Sequence, residues 1–533
     1  EAARTVGGRA RAVPGTLPDG TPATLDNGQH ILIGAYAESL RLMRLVGVDI
    51  DTALLRLPLT LQFPDGQGLQ LPDLPPPLDA LLGIARAKGW GWRDKLALLR
   101  TATAWQLRGF RCAPATSVAA LCAPLTPRLM SEFIDPLCVS ALNTPANQAS
   151  GQVFLRVLQD SLFSGRGGSN LLLPRADLGA LFPEAAARWL QQQGGQVLTG
   201  QRIQRLQPLP GGRWQPVVAA NGTEEPGAFD HVTLACPSWE ASRLVEGLAG
   251  TAGLASAARW SATTSALRFE AITTVYAHAP GAHLPLPMLA LRNTATHPAQ
   301  FVFDRGQLDG QHGLLAFVVS ASDGDRALIE QQVLQQAAAQ LGISALQPVQ
   351  TVVEKRATFA CTPGLQRPGM QVLPGLTACG DYVDGPYPAT LEGAVRSGLA
   401  AAQRLVELVA VLLDLLFVHG VCRMGEKGQA AARASASARK FDTSWAKRAA
   451  CSIWVQWPQW PNTCSWLLGI HWLSVSEVCS GITWSSRPCT IRVSCGSARI
   501  AASGLAMAST QRWRGAGNMA EKDSWKPGRM LAW

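Results

Sequence analysis

The chain has 533 residues, 47% apolar and 16% charged, which excludes a wholly disordered polymer and exceeds the size at which a single core stops growing. Of its net charge of +10, residues 410 to 533 carry +9, from 15 Lys plus Arg against 6 Asp plus Glu, so the body gives no electrostatic case for binding nucleic acid. No run reaches the ~18 to 20 apolar residues of a membrane span, and the twelve cysteines show neither CxxC nor HxxxH spacing, so no metal site or disulfide framework is expected.

Neither a leader pattern nor a start methionine precedes Glu1, so the chain reads as a fragment, with reduced thiols and a cytoplasmic location expected. Residues 1 to 35 are loop country, running from a Gly7-Gly8-Arg9 turn to DNGQH at Asp26 to His30. Short strands are expected over 53 to 71, closed by Pro72, Pro75, Pro76 and Pro77. From 78 to 165 the pattern is helical; Leu96, Leu99, Thr103 and Leu107 share one mostly apolar face, read as a cover or cavity wall. Residues 177 to 206 predict a helix ending at Gly194 and Gly195, then a strand from Gln196 to Leu206, with another strand at 230 to 236. Runs such as Ile272 to Tyr276, Phe301 to Phe303 and Gly313 to Val319 predict an antiparallel sheet. A helix over 325 to 341, stopped by Gly342, leads to a strand through 349 to 360.

After residue 409 periodicity fades, and ten of the 17 Trp and six of the 12 Cys accumulate there. Residues 409 to 533 therefore read as a disordered tail, or as translation in a shifted frame or past a lost stop. The competing reading is a basic aromatic segment that binds lipid or single-stranded nucleic acid.

Chemistry concentrates in LTACGDYVDGPYPATLEGAVRSG, Leu376 to Gly398. An apolar strand ends at Gly380 and Asp381, a Gly/Pro turn follows, and a helix opens near Pro388 to Thr390, with Pro388 suited to the first turn. A helix N-terminus offers free N–H groups and partial positive charge, which suits the negative charge of a reduced flavin. Leu391, Val395, Leu399, Ala402 and Leu405 are expected on the buried face of that helix.

This block resembles the C-terminal FAD-binding signature of the amine oxidase and phytoene desaturase superfamily, and its PATLEGAVRSG wording is most similar to the hydroxysqualene dehydroxylases. The resemblance implies FAD as cofactor, with Gly380 and Asp381 at the ribityl-pyrophosphate region and Thr390, Leu391 and Glu392 at the pyrimidine edge of the ring. EAARTVGGRAR resembles the end of the family's nucleotide-binding unit, implying Glu1 on the adenosine ribose and Gly7, Gly8 and Arg9 beside the pyrophosphate. DNGQH resembles the segment that approaches the flavin, which implicates Asn27, Gly28 and Gln29, with His30 the candidate general acid. The strand at Ile203 resembles the one that contacts adenine, and Asn143 and Thr144 of ALNTP are expected on the substrate side. Read alone, the GGR turn, the DNGQH turn and the Ile203 strand each also fit an ordinary structural role.

The implied fold class is α/β: a Rossmann-like FAD-binding domain (1–50, 166–262, 350–408) interleaved with a mixed-sheet and helical substrate domain (51–165, 263–349). Its first strand and GxGxxG, about 30 residues, would precede Glu1. The implied reaction is reductive removal of the hydroxyl of hydroxysqualene to give squalene, for hopanoid and related triterpene synthesis. A C30 isoprenoid substrate, hand-off from prenyl or hydroxysqualene synthases, and peripheral contact with the inner membrane face are expected, without nucleic acid. The rival readings are a carotenoid desaturase, a flavin amine oxidase, for which four tyrosines make an aromatic cage hard to build, and an inactive truncated flavoprotein.

Overall fold

Strict alternation of side chains organises the largest layer. Five antiparallel strands lie in the order Met288–Ala290, Phe301–Asp304, Leu314–Ser322, Phe269–His278 and Gln347–Phe359. Tyr276, Phe303 and Ala316 point to one face while Val275, Val302 and Phe317 point to the other, so each residue step changes the core being filled. The second face packs on helix Arg326–Leu341, which starts where the Asp325 carboxylate accepts from the N–H groups of Ala327 and Leu328 and stops at the left-handed Gly342 (φ 71°). The first face packs with helices drawn from 78 to 162, including Trp92–Leu107, Asp135–Leu142 and Gly151–Leu162. Each Phe or Leu sealed there is worth about 1.5–3 kcal/mol relative to exposure.

The structure is a computed structural model that describes residues 1–163, 165–218, 227–248 and 254–407. The tail expected at 409 to 533 lies outside the described residues. Among the described residues no helix is long and apolar enough to cross a membrane.

A second, smaller layer is built on a parallel pair, Val232–Leu234 with Leu376–Ala378, extended antiparallel by Gln371–Leu373. Helix Ser238–Glu246 follows the first of these strands and a helix over 391 to 407 follows the second, giving a mixed α/β architecture.

Three expectations are corrected. The strand foreseen from Gln196 exists only as Ile203–Pro208, paired antiparallel with Trp214–Val218. Residues 198 to 201 instead make three backbone bonds to the chain start: Glu1 N to Leu198 O, Gly200 N to Ala3 O and Gln201 N to Glu1 O, too few neighbours for a ladder. The face of helix Trp92–Leu107 carrying Leu96 and Leu107 points to solvent, because Leu98, Thr101 and Trp105 supply the inward face. In the 391 to 407 helix only Glu392 and Ala401 are buried, Leu391, Val395, Leu399 and Leu405 are half-buried and Ala402 is exposed, since the sheet beside it is three strands wide.

Candidate functional site

The signature block closes on a well-made helix start. Gly380 has φ 154°, and a Cβ there would lie 2.7 Å from the Tyr382 ring, so the strand can turn only with glycine. Thr390 Oγ1 accepts from Gly393 N at 2.9 Å and donates to Tyr387 O at 3.0 Å, which makes Thr390 the N-cap. Pro388 therefore precedes the helix instead of opening its first turn. Among the described residues the N–H groups of Leu391 and Glu392 have no acceptor, and they sit at the positive end of the helix dipole.

The Glu392 side chain runs the other way. Its carboxylate is fully buried, accepting from Glu38 N (3.1 Å), Ser39 N (2.9 Å), Ser39 Oγ (2.7 Å) and Arg396 Nε (2.7 Å). Helix Ala37–Leu45 has no side-chain cap of its own at Tyr36, and Glu392 provides one across 353 residues. Only the backbone of Glu392 is thus available at a ring edge. Burial, and then the neighbouring Glu392 charge, push the Tyr36 hydroxyl up to about 12 against the pull of Thr390.

The glycine turn meets the signature directly. Ala10 N donates to Gly7 O at 2.9 Å across Gly8 (φ 56°), and a Cβ on Gly7 (φ 110°) would lie 2.5 Å from Ala10 O. Arg9 then reaches Asp381 through Nη2 (2.7 Å) and the Ala357 carbonyl through Nη1 (2.6 Å). One face of the guanidinium fork is committed to protein, which aims the remainder.

In DNGQH most polar groups hold the loop. Asp26 is buried; its carboxylate accepts from Leu178 N and Arg305, and its backbone carbonyl from Tyr276 Oη. Asn27 Oδ1 accepts from Arg11 N, and Gln29 Oε1 from Arg305. His30 Nδ1 lies 2.7 Å from Gly28 O, which as an N–H donor leaves Nε2 an acceptor. The residue is half-buried, yet its ring is shielded enough that desolvation, aided by Arg9, holds its pKa below 6.5 in spite of Gly28. That favours the neutral imidazole, not the charged form a general acid needs.

The remaining candidates are dispersed. Glu1 is exposed and its carboxylate accepts from Ala3 N, while the Ile203 carbonyl accepts from Arg243. Asn143 and Thr144 are buried: Asn143 bonds Thr358 Oγ1 and Ala321 N, and Thr144 bonds Cys361 N and Leu142 O. These bonds tie a helix end to the large sheet and occupy the polar atoms of both side chains, as burial requires. Strand Gln347–Phe359 thereby holds Arg9 at Ala357 and Asn143 at Thr358. Sequence reasoning missed Ser39, Asp26 and Arg305; the Asp304-Arg305 pair that ends the apolar run Phe301 to Phe303 was the available signal for the last.

The donor set fits a flavin dinucleotide. Two orphan N–H groups at a capped helix start suit a ring oxygen, and a strained glycine turn beside Arg9 suits phosphate. The sequence profile of the flavin-containing amine oxidoreductases matches residues 1 to 406. The chain belongs to this family. Its cofactor is FAD. A hydroxysqualene dehydroxylase of Rhodopseudomonas palustris is 27% identical over 434 residues, covering 75% of this chain and 90% of its own. In fold, an oxidoreductase from Methanosarcina mazei is similar with a TM-score of 0.56 at 14% identity, covering 76% of this chain and 93% of its own. Cyclohexylamine oxidase from Brevibacterium oxydans is similar with a TM-score of 0.54 at 13% identity, covering 77% and 93%.

Proposed function

We propose that this flavoenzyme removes the hydroxyl of hydroxysqualene reductively, giving squalene for triterpene synthesis. The observation that carries the reading is the Pro388 to Gly398 signature on a capped helix start, in a chain whose 27% identical relative bears that activity's name. When bound, reduced FAD would supply the hydride, and the departing hydroxide would take one proton to leave as water.

The chain's own residues bind and orient. Leu391 and Glu392 N–H would hold the ring edge, and Arg9 with Asp381 the ribityl and phosphate region. Glu392, through Ser39, fixes the helix that follows the DNGQH loop. With its proton on Nδ1 facing Gly28, His30 is assigned to orientation instead of proton delivery.

The four tyrosines support this reading over an amine oxidase. Tyr276 and Tyr382 are buried and Tyr387 lies under the Arg156 and Arg396 guanidinium groups. That leaves Tyr36, beside Thr390, as the one tyrosine free to wall a cage.

The test is anaerobic: protein loaded with FAD and reduced, then mixed with hydroxysqualene, should form squalene. Failure with hydroxysqualene alongside oxidation of a primary amine would replace the reading with the amine oxidase one.

A further inference from the structure

Five of the eleven exposed large apolar side chains among the described residues fall between 78 and 107: Leu78, Leu81, Trp92, Leu96 and Leu107. Their exposure is extreme for two of them, 70% for Trp92 and 85% for Leu107. On helix Trp92–Leu107 the exposed positions Trp92, Leu96, Thr103 and Leu107 follow at i, i+4, i+11 and i+15, with half-buried Leu99, which also touches the core, between them, one stripe along the side opposite to buried Leu98, Thr101 and Trp105. The preceding helix, Leu78–Arg86, adds Leu78 and Leu81, and Lys95 Nζ ties the two helices by donating to Ala85 O at 2.7 Å. A soluble surface rarely gathers apolar groups this way without an occupant.

Charge identifies the occupant. Residues 78 to 111 hold seven Lys and Arg against two Asp, a net +5, in a body (1 to 409) of net +1. The two aspartates do not face out as free charges: Asp79 is buried, and Asp94 accepts from Thr126 Oγ1 and Gly91 N. Among the described residues none of the seven cations forms an ion pair with a carboxylate. By helical spacing Arg93 and Arg100 border the stripe on one side and Lys95 on the other, and Arg93 stacks on Trp92 at 5.5 Å. A two-fold contact with a second copy would set this positive rim against itself. Residues 410 to 533, with net +9, carry the same sign. Trp at the margin, Leu at the centre and basic side chains around them match an anionic lipid interface.

The geometry points to the face of helices Leu78–Arg86 and Trp92–Leu107 as the surface by which the protein docks on an anionic lipid membrane. The apolar stripe enters the headgroup boundary and the basic rim meets lipid phosphates. This goes beyond the proposed reaction, and its test needs no substrate.

The full chain is sedimented with vesicles of phosphatidylglycerol and phosphatidylcholine, and with phosphatidylcholine alone. Binding is expected to the first, and to fall by at least about tenfold in the combined Trp92→Ser, Leu96→Gln, Leu107→Gln variant and in Arg93→Gln, Arg100→Gln. These positions are outward-facing, and unchanged circular dichroism would confirm that the variants fold. Equal binding by wild type and both variants would overturn the proposal. So would absence of wild-type binding, with or without a dimer that the apolar variant dissolves.

Discussion

The Arg9 guanidinium lies 2.7 Å from the Asp381 carboxylate, joining two segments 372 residues apart at the two ends of the flavin-binding body. Because Nη1 also holds the Ala357 carbonyl, the planar fork sets three elements at once. Arg9→Lys keeps the charge but not the fork. It is expected to weaken FAD binding by about tenfold, one charge-assisted hydrogen bond's worth, measured by fluorescence titration of the apoprotein; unchanged affinity would show that the fork is dispensable.

Glu392→Ala removes the side-chain acceptor at the start of helix Ala37–Leu45 and leaves the buried Ser39 N–H and hydroxyl without that partner. A loss of about 1–3 kcal/mol in urea unfolding is expected, with Glu392→Gln losing less because its amide oxygen still accepts. Equal losses in the two variants would count against the capping role.

Arg305 is buried between Asp26 and Asp309, and burial pushes the Asp26 carboxyl up in spite of Arg305's opposing pull. Arg305→Met leaves both carboxylates without their cation and should cost about 3–5 kcal/mol, seen as a lower thermal midpoint. A neutral outcome would mean that Asp26 is held by Leu178 N and Tyr276 alone.

His30 carries a pH signature of defined sign. Its folded pKa lies below 6.5, so the unfolded chain takes up this proton first as pH falls. The contribution is fully present above 6.5 and is lost as pH falls towards and through the lower folded value. His30→Gln should flatten the urea midpoint against pH in that window; an unchanged slope would place the ring in water.

What was legible in the sequence was local. The strand, Gly380 turn and Thr390-capped helix follow one another within 23 residues, and the Asp325 cap and Gly342 stop frame a helix by neighbours alone. The missed contacts bridge hundreds of residues: Glu392 to Ser39, Arg305 to Asp26 and Asn143 to Thr358. Periodicity placed Leu96 and Leu107 on one face correctly, but a helix with apolar groups on opposite sides does not declare which side is inward. Thr390 and Asn143 were found by wording, yet their partners follow from packing.

Anaerobic single turnover of the FAD-loaded, reduced protein with hydroxysqualene decides whether the chain carries out the dehydroxylation. One squalene formed per flavin, with return of the oxidised band at roughly 450 nm, is the predicted result. Flavin that stays reduced, with hydroxysqualene recovered intact, would contradict it.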